Sequence, residues 1–205
     1  MADQTQVAYY LGLDMGPVGQ FTGMAIVEKT SIRDDEDKLI STSYAVRHLA
    51  RFPPGTPYGT LIDEVRRVLT ELPKKVEAVL FDQTAVGHKV FRTVRDALRG
   101  WHVRGVMITA GMNECYDSRQ GFMVPKIDLV GILQLLLQER RFRVATALEL
   151  ASTLTEELQQ FQIRTLSSMS DSVLEWRERP HDDLVLAVAI AIWYAERPGI
   201  YIAVV

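Results

Sequence analysis

Residues 181–194, His-Asp-Asp-Leu-Val-Leu-Ala-Val-Ala-Ile-Ala-Ile-Trp-Tyr, constrain this chain more than any other stretch. After two adjacent aspartates the run is almost wholly apolar. A helix apolar on every side is buried on every side, so its first turn is held rigidly inside the domain. An aspartate there has an ordinary reading, because it caps free N–H groups and complements the helix dipole. One aspartate meets that need. The second, with His181 before it, directs attention to acids elsewhere, and two stand at the ends of apolar strands: Asp14 and Asp82.

The rest of the chain reads as the frame for these points. Val7 to Asp14, Phe21 to Glu28 and Leu39 to Leu49 alternate as three strands joined by local turns, an antiparallel meander. The acidic run Asp34 to Asp37 is a solvated hairpin tip, without the spaced ligands and glycine of a calcium loop. A Pro/Gly connector, Arg51 to Tyr58, leads into a helix over 58–72 whose buried face is Leu61, Ile62, Val65, Val68 and Leu69. Val76 to Phe81 is a strand ending at Asp82, Gly87 to Arg99 a helix, and Trp101 to Ile108 a strand. Such alternation predicts parallel strands with helices packed against them. Thr109 to Val124 reads as a long irregular segment, functional or mobile. A helix over Ile127 to Arg140 follows Pro125. Then come a short strand over Phe142 to Ala145, a helix over Ala147 to Phe161, and a small hairpin of Gln162 to Leu166 with Val173 to Trp176. Pro198-Gly199 stops the buried helix, and Ile200 to Val205 adds an edge strand. No repeat or linker divides the 205 residues, which predicts one domain.

Composition narrows the setting. No charge-free apolar run reaches the ~20 residues of a membrane span, and the polar N-terminus lacks a basic leader. Cys115 is the only cysteine, so there is neither a disulfide framework nor a cysteine zinc site. A reducing, cytoplasmic compartment without membrane association is expected. The net charge of −3 does not advertise a nucleic-acid binder, although local basic stretches matter more than the sum.

Sites in mixed α/β sheets form at the carboxyl ends of strands. Asp14, Asp82 and the pair Asp182/Asp183 each follow or open an apolar element. Brought to one edge they would repel each other unless a cation lay between them. Oxygen donors without cysteine or a histidine cluster favour Mg²⁺ or Mn²⁺, and two ions about 3.5–4 Å apart would suit phosphodiester hydrolysis. Any one of these aspartates, taken alone, reads more simply as a turn or cap residue.

Several pieces together resemble the nuclease domain of the large terminase subunit of tailed phages, in the RNase H-like superfamily. They are Gly12-Leu13-Asp14-Met15-Gly16 with the Thr22-Gly23-Met24-Ala25 strand; Phe81-Asp82-Gln83-Thr84-Ala85-Val86-Gly87 before a helix; Lys126 opening the next helix; Leu158 near an amphipathic helix end; and His181-Asp182-Asp183-Leu184-Val185 with Ala187, Ala189 and Ala191. The resemblance implies an RNase H-like mixed sheet flanked by helices, and metal-dependent cleavage of double-stranded DNA during genome packaging. Carried over, the metal ligands are Asp14, Asp82 and Asp183, with Asp182 sharing or replacing the third role. DNA, a separate packaging ATPase or a portal protein are the implied partners, and a phage or prophage protein in a bacterial cell is the implied setting. Ala85 stands where the family usually has glycine. No Gly-x-x-x-x-Gly-Lys-Ser/Thr loop occurs, so the packaging motor is not encoded in these residues.

Around this core, Lys126 is placed to contact a scissile phosphate or position a carboxylate, and His88 to reach the phosphate. His181 is placed to orient an aspartate. Arg92, Arg95 and Arg99 form a basic stripe, and Arg140, Arg141 and Arg143 a second cluster, either of which could neutralise DNA phosphates. Each also has the plain reading of a solvated side chain. Three rival functions share these residues: a Holliday-junction resolvase-like nuclease, acting as a dimer; an actin-like nucleotide-binding domain, because Asp14-Met15-Gly16 suits a phosphate loop; and an inactive scaffold.

Overall fold

The computed structural model describes residues 3–17, 19–167 and 182–197. Three long strands come first: β1 (Gln4–Asp14), β2 (Thr22–Arg33) and β3 (Leu39–Phe52), paired antiparallel as the alternation predicts. Then follow α1 (Tyr58–Glu71), β4 (Ala78–Asp82), α2 (Gly87–Ala97) and β5 (Val103–Thr109), with β4 parallel to both β1 and β5. β6 (Cys115–Asp117), β7 (Gly121–Pro125), α3 (Lys126–Gln138), β8 (Phe142–Val144), α4 (Ala151–Ser167) and α5 (Asp183–Glu196) complete the described chain. The eight strands make one sheet in the order β6-β7-β5-β4-β1-β2-β3-β8.

The sheet is covered on both faces. α1 and α2 pack one side over Leu11, Leu13, Met24, Ile26 and Phe81. α3, α4 and α5 cover the other over Ala25, Val27, Leu80, Val106 and Ile108. The alternation along each strand therefore divides two cores, as period-two side chains must. α1 buries Leu61, Ile62, Val65, Val68 and Leu69, the face its spacing predicts.

α5 lies so close to the sheet that glycine is required beneath it. A Cβ on Gly12 would stand 1.8 Å from the Ala187 carbonyl oxygen, and one on Gly23 would stand 2.4 Å from that of Asp183. Ala187 and Ala191 supply the matching small surface on the helix. Between Asp183 and Ala195 only Leu186 and Tyr194 escape full burial, so the all-apolar run has the environment its composition demands.

Two expectations are corrected. Thr109 to Val124 is not irregular throughout: it holds the β6–β7 hairpin, and β7 pairs parallel with β5. Asp117 Oδ1 accepts from the N–H groups of Arg119 and Gln120, closing the turn. Gly121 follows with φ +86, and a Cβ there would stand 2.3 Å from the Gly105 carbonyl oxygen. Gln162 to Leu166 is not a strand but the continuation of α4. Its β-branched residues suggest a strand, yet extending an existing helix adds one hydrogen bond per residue without a new nucleus. The partner strand at Val173 to Trp176, the Pro198-Gly199 stop and the edge strand at 200–205 lie outside the described residues. Among the described residues no helix is long and apolar enough to cross a membrane.

Candidate active site

One row of paired positions crosses the centre of the sheet at the carboxyl ends of β1 and β4. Arg51 on β3 faces Gly23 on β2, Gly23 faces Asp14 on β1, and Asp14 lies beside Asp82 on β4. Residues directly opposite on neighbouring strands share a face. Arg51, Asp14 and Asp82 thus rise on the side covered by α5, and side-chain-free Gly23 makes room for that helix's first turn.

Asp82 is buried and anchored. Its Oδ1 accepts from the Thr84 N–H at 2.8 Å and from the Thr84 hydroxyl, which itself accepts from the Ile108 N–H at 2.7 Å. Asp14 and Asp82 stand as register partners on neighbouring strands, close enough for the charge of Asp82 to act on Asp14. Burial, followed by the charges of Asp82 and Asp182, pushes Asp14 well above the usual carboxylate range. Burial also raises Asp82, against the bonds from Thr84 that favour its charged form. The two side by side, in low dielectric, resist double ionisation.

The two consecutive aspartates part company at the head of α5. Asp182 occupies the N-cap position but makes no side-chain cap bond. Its carboxylate instead lies 3.4 Å from Lys126 Nζ, which also sits 5.1 Å above the Phe161 ring. Asp183, buried, is held by Arg51 through both oxygens, with Nε to Oδ2 at 2.8 Å and Nη2 to Oδ1 at 2.7 Å. Nη2 also donates to Glu157 Oε1. Glu157 Oε2 then accepts from the Leu184 and Val185 N–H groups, both at 3.1 Å. The cap of α5 therefore comes from α4, not from either aspartate. Burial and the Asp183 charge push Glu157 up to about 7.

Arg51 and Glu157 are absent from the site as read from sequence. Glu157 had a signal: it shares the buried stripe of Leu154, Leu158 and Phe161 at helical spacing, where a charge needs a partner. Arg51 had none, because it looks like the start of a Pro/Gly connector until β3 is seen to run on to Phe52.

The structure thus brings Asp14, Asp82, Asp182 and Lys126 together, with Asp183 beside them on Arg51. His88 is exposed in the first turn of α2 and contacts the Phe91 ring. Arg92, Arg95 and Arg99 are exposed in and just after α2, across the sheet from α5. Arg141 is bound to Glu139, the Thr42 carbonyl and Glu196, at the far end of α5 from Asp183. His181 lies outside the described residues. Among the described residues no group of three or more His, Cys, Asp and Glu side chains stands ready as a metal site. Asp14, Asp82 and Asp182 are the carboxylates that could hold an ion, once Lys126 gives way.

No protein-family model matches the chain, and no curated protein matches its sequence. Its structure is similar to the crystal structure of the large terminase nuclease from thermophilic phage G20c, at a TM-score of 0.56 and 17% identity. The match covers 94% of this chain and 83% of that one. The two share a fold: a mixed sheet, with an antiparallel three-strand meander and parallel strands, flanked by helices.

Proposed function

We propose that this protein is a divalent-metal-dependent endodeoxyribonuclease that hydrolyses phosphodiester bonds, as a terminase nuclease domain does in viral DNA packaging. The observation carrying this reading is the meeting of Asp14 and Asp82 at register partners in the sheet centre, with Asp182 at the head of a buried helix beside them. That donor set fits the ions the reaction class uses: it is all oxygen, and around it five carboxylates (Asp14, Asp82, Glu157, Asp182 and Asp183) face two cationic side chains, Arg51 and Lys126. Asp14, Asp82 and Asp182 would hold Mg²⁺ or Mn²⁺, with Asp183 in contact or in support. Two such ions, when bound, activate a water and stabilise the leaving oxygen.

The chain's own groups do the positioning. Thr84 fixes the Asp82 carboxylate against the Ile108 backbone, so one acid is set before any ligand arrives. Lys126 neutralises Asp182 and, released from it, is placed to meet a phosphate oxygen. The exposed arginines of α2 offer DNA a second contact on the opposite sheet face. ATP-driven movement of DNA would fall to an ATPase outside these residues, and a portal protein would be a further partner in that role.

The test is cleavage of supercoiled plasmid by the purified protein with Mn²⁺, Mg²⁺ or EDTA. Metal-dependent nicking or linearisation, lost in Asp14→Asn and Asp82→Asn, is the expected result. A folded protein that cuts nothing with either metal would overturn the reading in favour of a scaffold built on a nuclease fold.

A further inference from the structure

The two aspartates that open α5 are chemically identical and adjacent, yet their surroundings differ in kind. Both oxygens of Asp183 are taken by one arginine fork, the pairing with the strictest geometry a carboxylate can have. Arg51 is bound in turn by Glu157, stacks 5.1 Å from the Phe21 ring, and keeps only 16% of its side chain exposed. Glu157 closes the arrangement by capping α5. Three elements, β3, α4 and α5, are thereby tied at one point. Asp182 has a longer contact to a lysine and no capping duty.

We infer that Arg51 and Glu157 are positioning residues that divide the aspartate pair, holding Asp183 as a structural acid and leaving Asp182 as the third carboxylate offered to a metal ion. This rests on the proposed metal-dependent reading. Arg51 belongs to the same cross-strand row as Asp14, so its guanidinium would weaken cation binding at the row if it were uncompensated. Asp183 compensates it. Glu157 sets the angle at which α5 enters, and so the direction Asp182 faces. An ion pair of this quality is not readily traded for a metal, since release would leave a half-buried arginine beside the incoming cation.

The assignment is tested by Mn²⁺ titration of the purified protein, read by the loss of the free-ion paramagnetic resonance signal. Asp182→Asn is expected to weaken Mn²⁺ binding at least tenfold, both in the unaltered background and in Arg51→Gln. Asp183→Asn is expected to change it less than threefold in the Arg51→Gln background, where no arginine needs compensating. Metal-free melting supplies a second reading on the same samples. Asp182→Asn is expected to raise Tm by relieving repulsion around Asp14, and Asp183→Asn to lower it by stranding Arg51. Glu157→Gln, which keeps an oxygen for the cap, is expected to retain more Mn²⁺ affinity than Glu157→Ala. Equal losses for Asp182→Asn and Asp183→Asn in Arg51→Gln, or a rise in Tm for both, would overturn the division while leaving the nuclease reading intact. Should Arg51→Gln not fold, the opposed Tm shifts of the two single variants decide alone. No Mn²⁺ bound by the unaltered protein would overturn the metal-dependent reading and the division with it.

Discussion

Asp14 is the residue on which the site's electrostatics turn. Without metal, burial and the acids around it push it well above the usual carboxylate range, and Glu157 is raised to about 7 in the same neighbourhood. Both groups bind a proton more tightly folded than unfolded, so their contribution to stability is fullest below the unfolded carboxylate pKa, near 4, and is lost as pH rises through the folded values. In EDTA, stability is therefore expected to fall between pH 5 and pH 8 by on the order of 2 kcal/mol. Urea titrations across that range check this, and millimolar Mg²⁺ should flatten the slope. Asp14→Asn should raise metal-free stability by about 1 kcal/mol, because it removes a buried like-charge neighbour. The same substitution should lower plasmid cleavage by two orders of magnitude or more, about 3 kcal/mol in the barrier.

At the scale of elements, the head of α5 is set by what lies under it. The close approach at Gly12 leaves no place for a methyl group, so Gly12→Ala should displace the helix and cost about 3 kcal/mol, seen as a fall in the urea midpoint. Gly131 is the internal control: it lies within α3, and a Cβ there would meet no heavy atom within 4 Å, so Gly131→Ala should gain about 1 kcal/mol from helix propensity. The contrast between two glycine-to-alanine changes separates packing from propensity. Breaking the Arg51 fork belongs to this scale too, because it joins β3, α4 and α5. Arg51→Ala leaves Asp183 and Glu157 facing each other buried, and should cost about 3 kcal/mol by thermal or urea melting.

Across the whole molecule, the sheet separates two charged surfaces. The acids gather at the strand ends under α5, while Arg92 and Arg95 on α2, and Arg99 just after it, are exposed on the opposite face. DNA held by both would have to pass over the edge of the sheet. Replacing the three arginines by alanine should weaken DNA binding uniformly across sequences and reduce the slope of log affinity against log salt by about 0.9 for each phosphate that those side chains neutralise. Fluorescence anisotropy on duplexes of two unrelated sequences, at several salt concentrations, measures both effects. An unchanged slope would place the DNA path elsewhere on the protein.

Periodicity alone made the meander, the parallel strands and the buried face of α1 legible. Each is a local pattern in which alternation or helical spacing marks which side meets the core. The apolar run after Asp183 announced a buried helix for the same reason. Asp14 and Asp82 could be singled out because each ends such a strand. What the linear order could not contain was register. Only the pairing of β3 with β2 puts Arg51 in the row of Asp14, and only the packing of α4 against α5 puts Glu157 on the N–H groups an aspartate was expected to cap. The β6–β7 hairpin was hidden likewise, because β7 depends on a neighbour, β5, that joins it only when the sheet forms. Hydrophobic pattern is written residue by residue, whereas the partner of a buried charge is decided by whichever element arrives beside it.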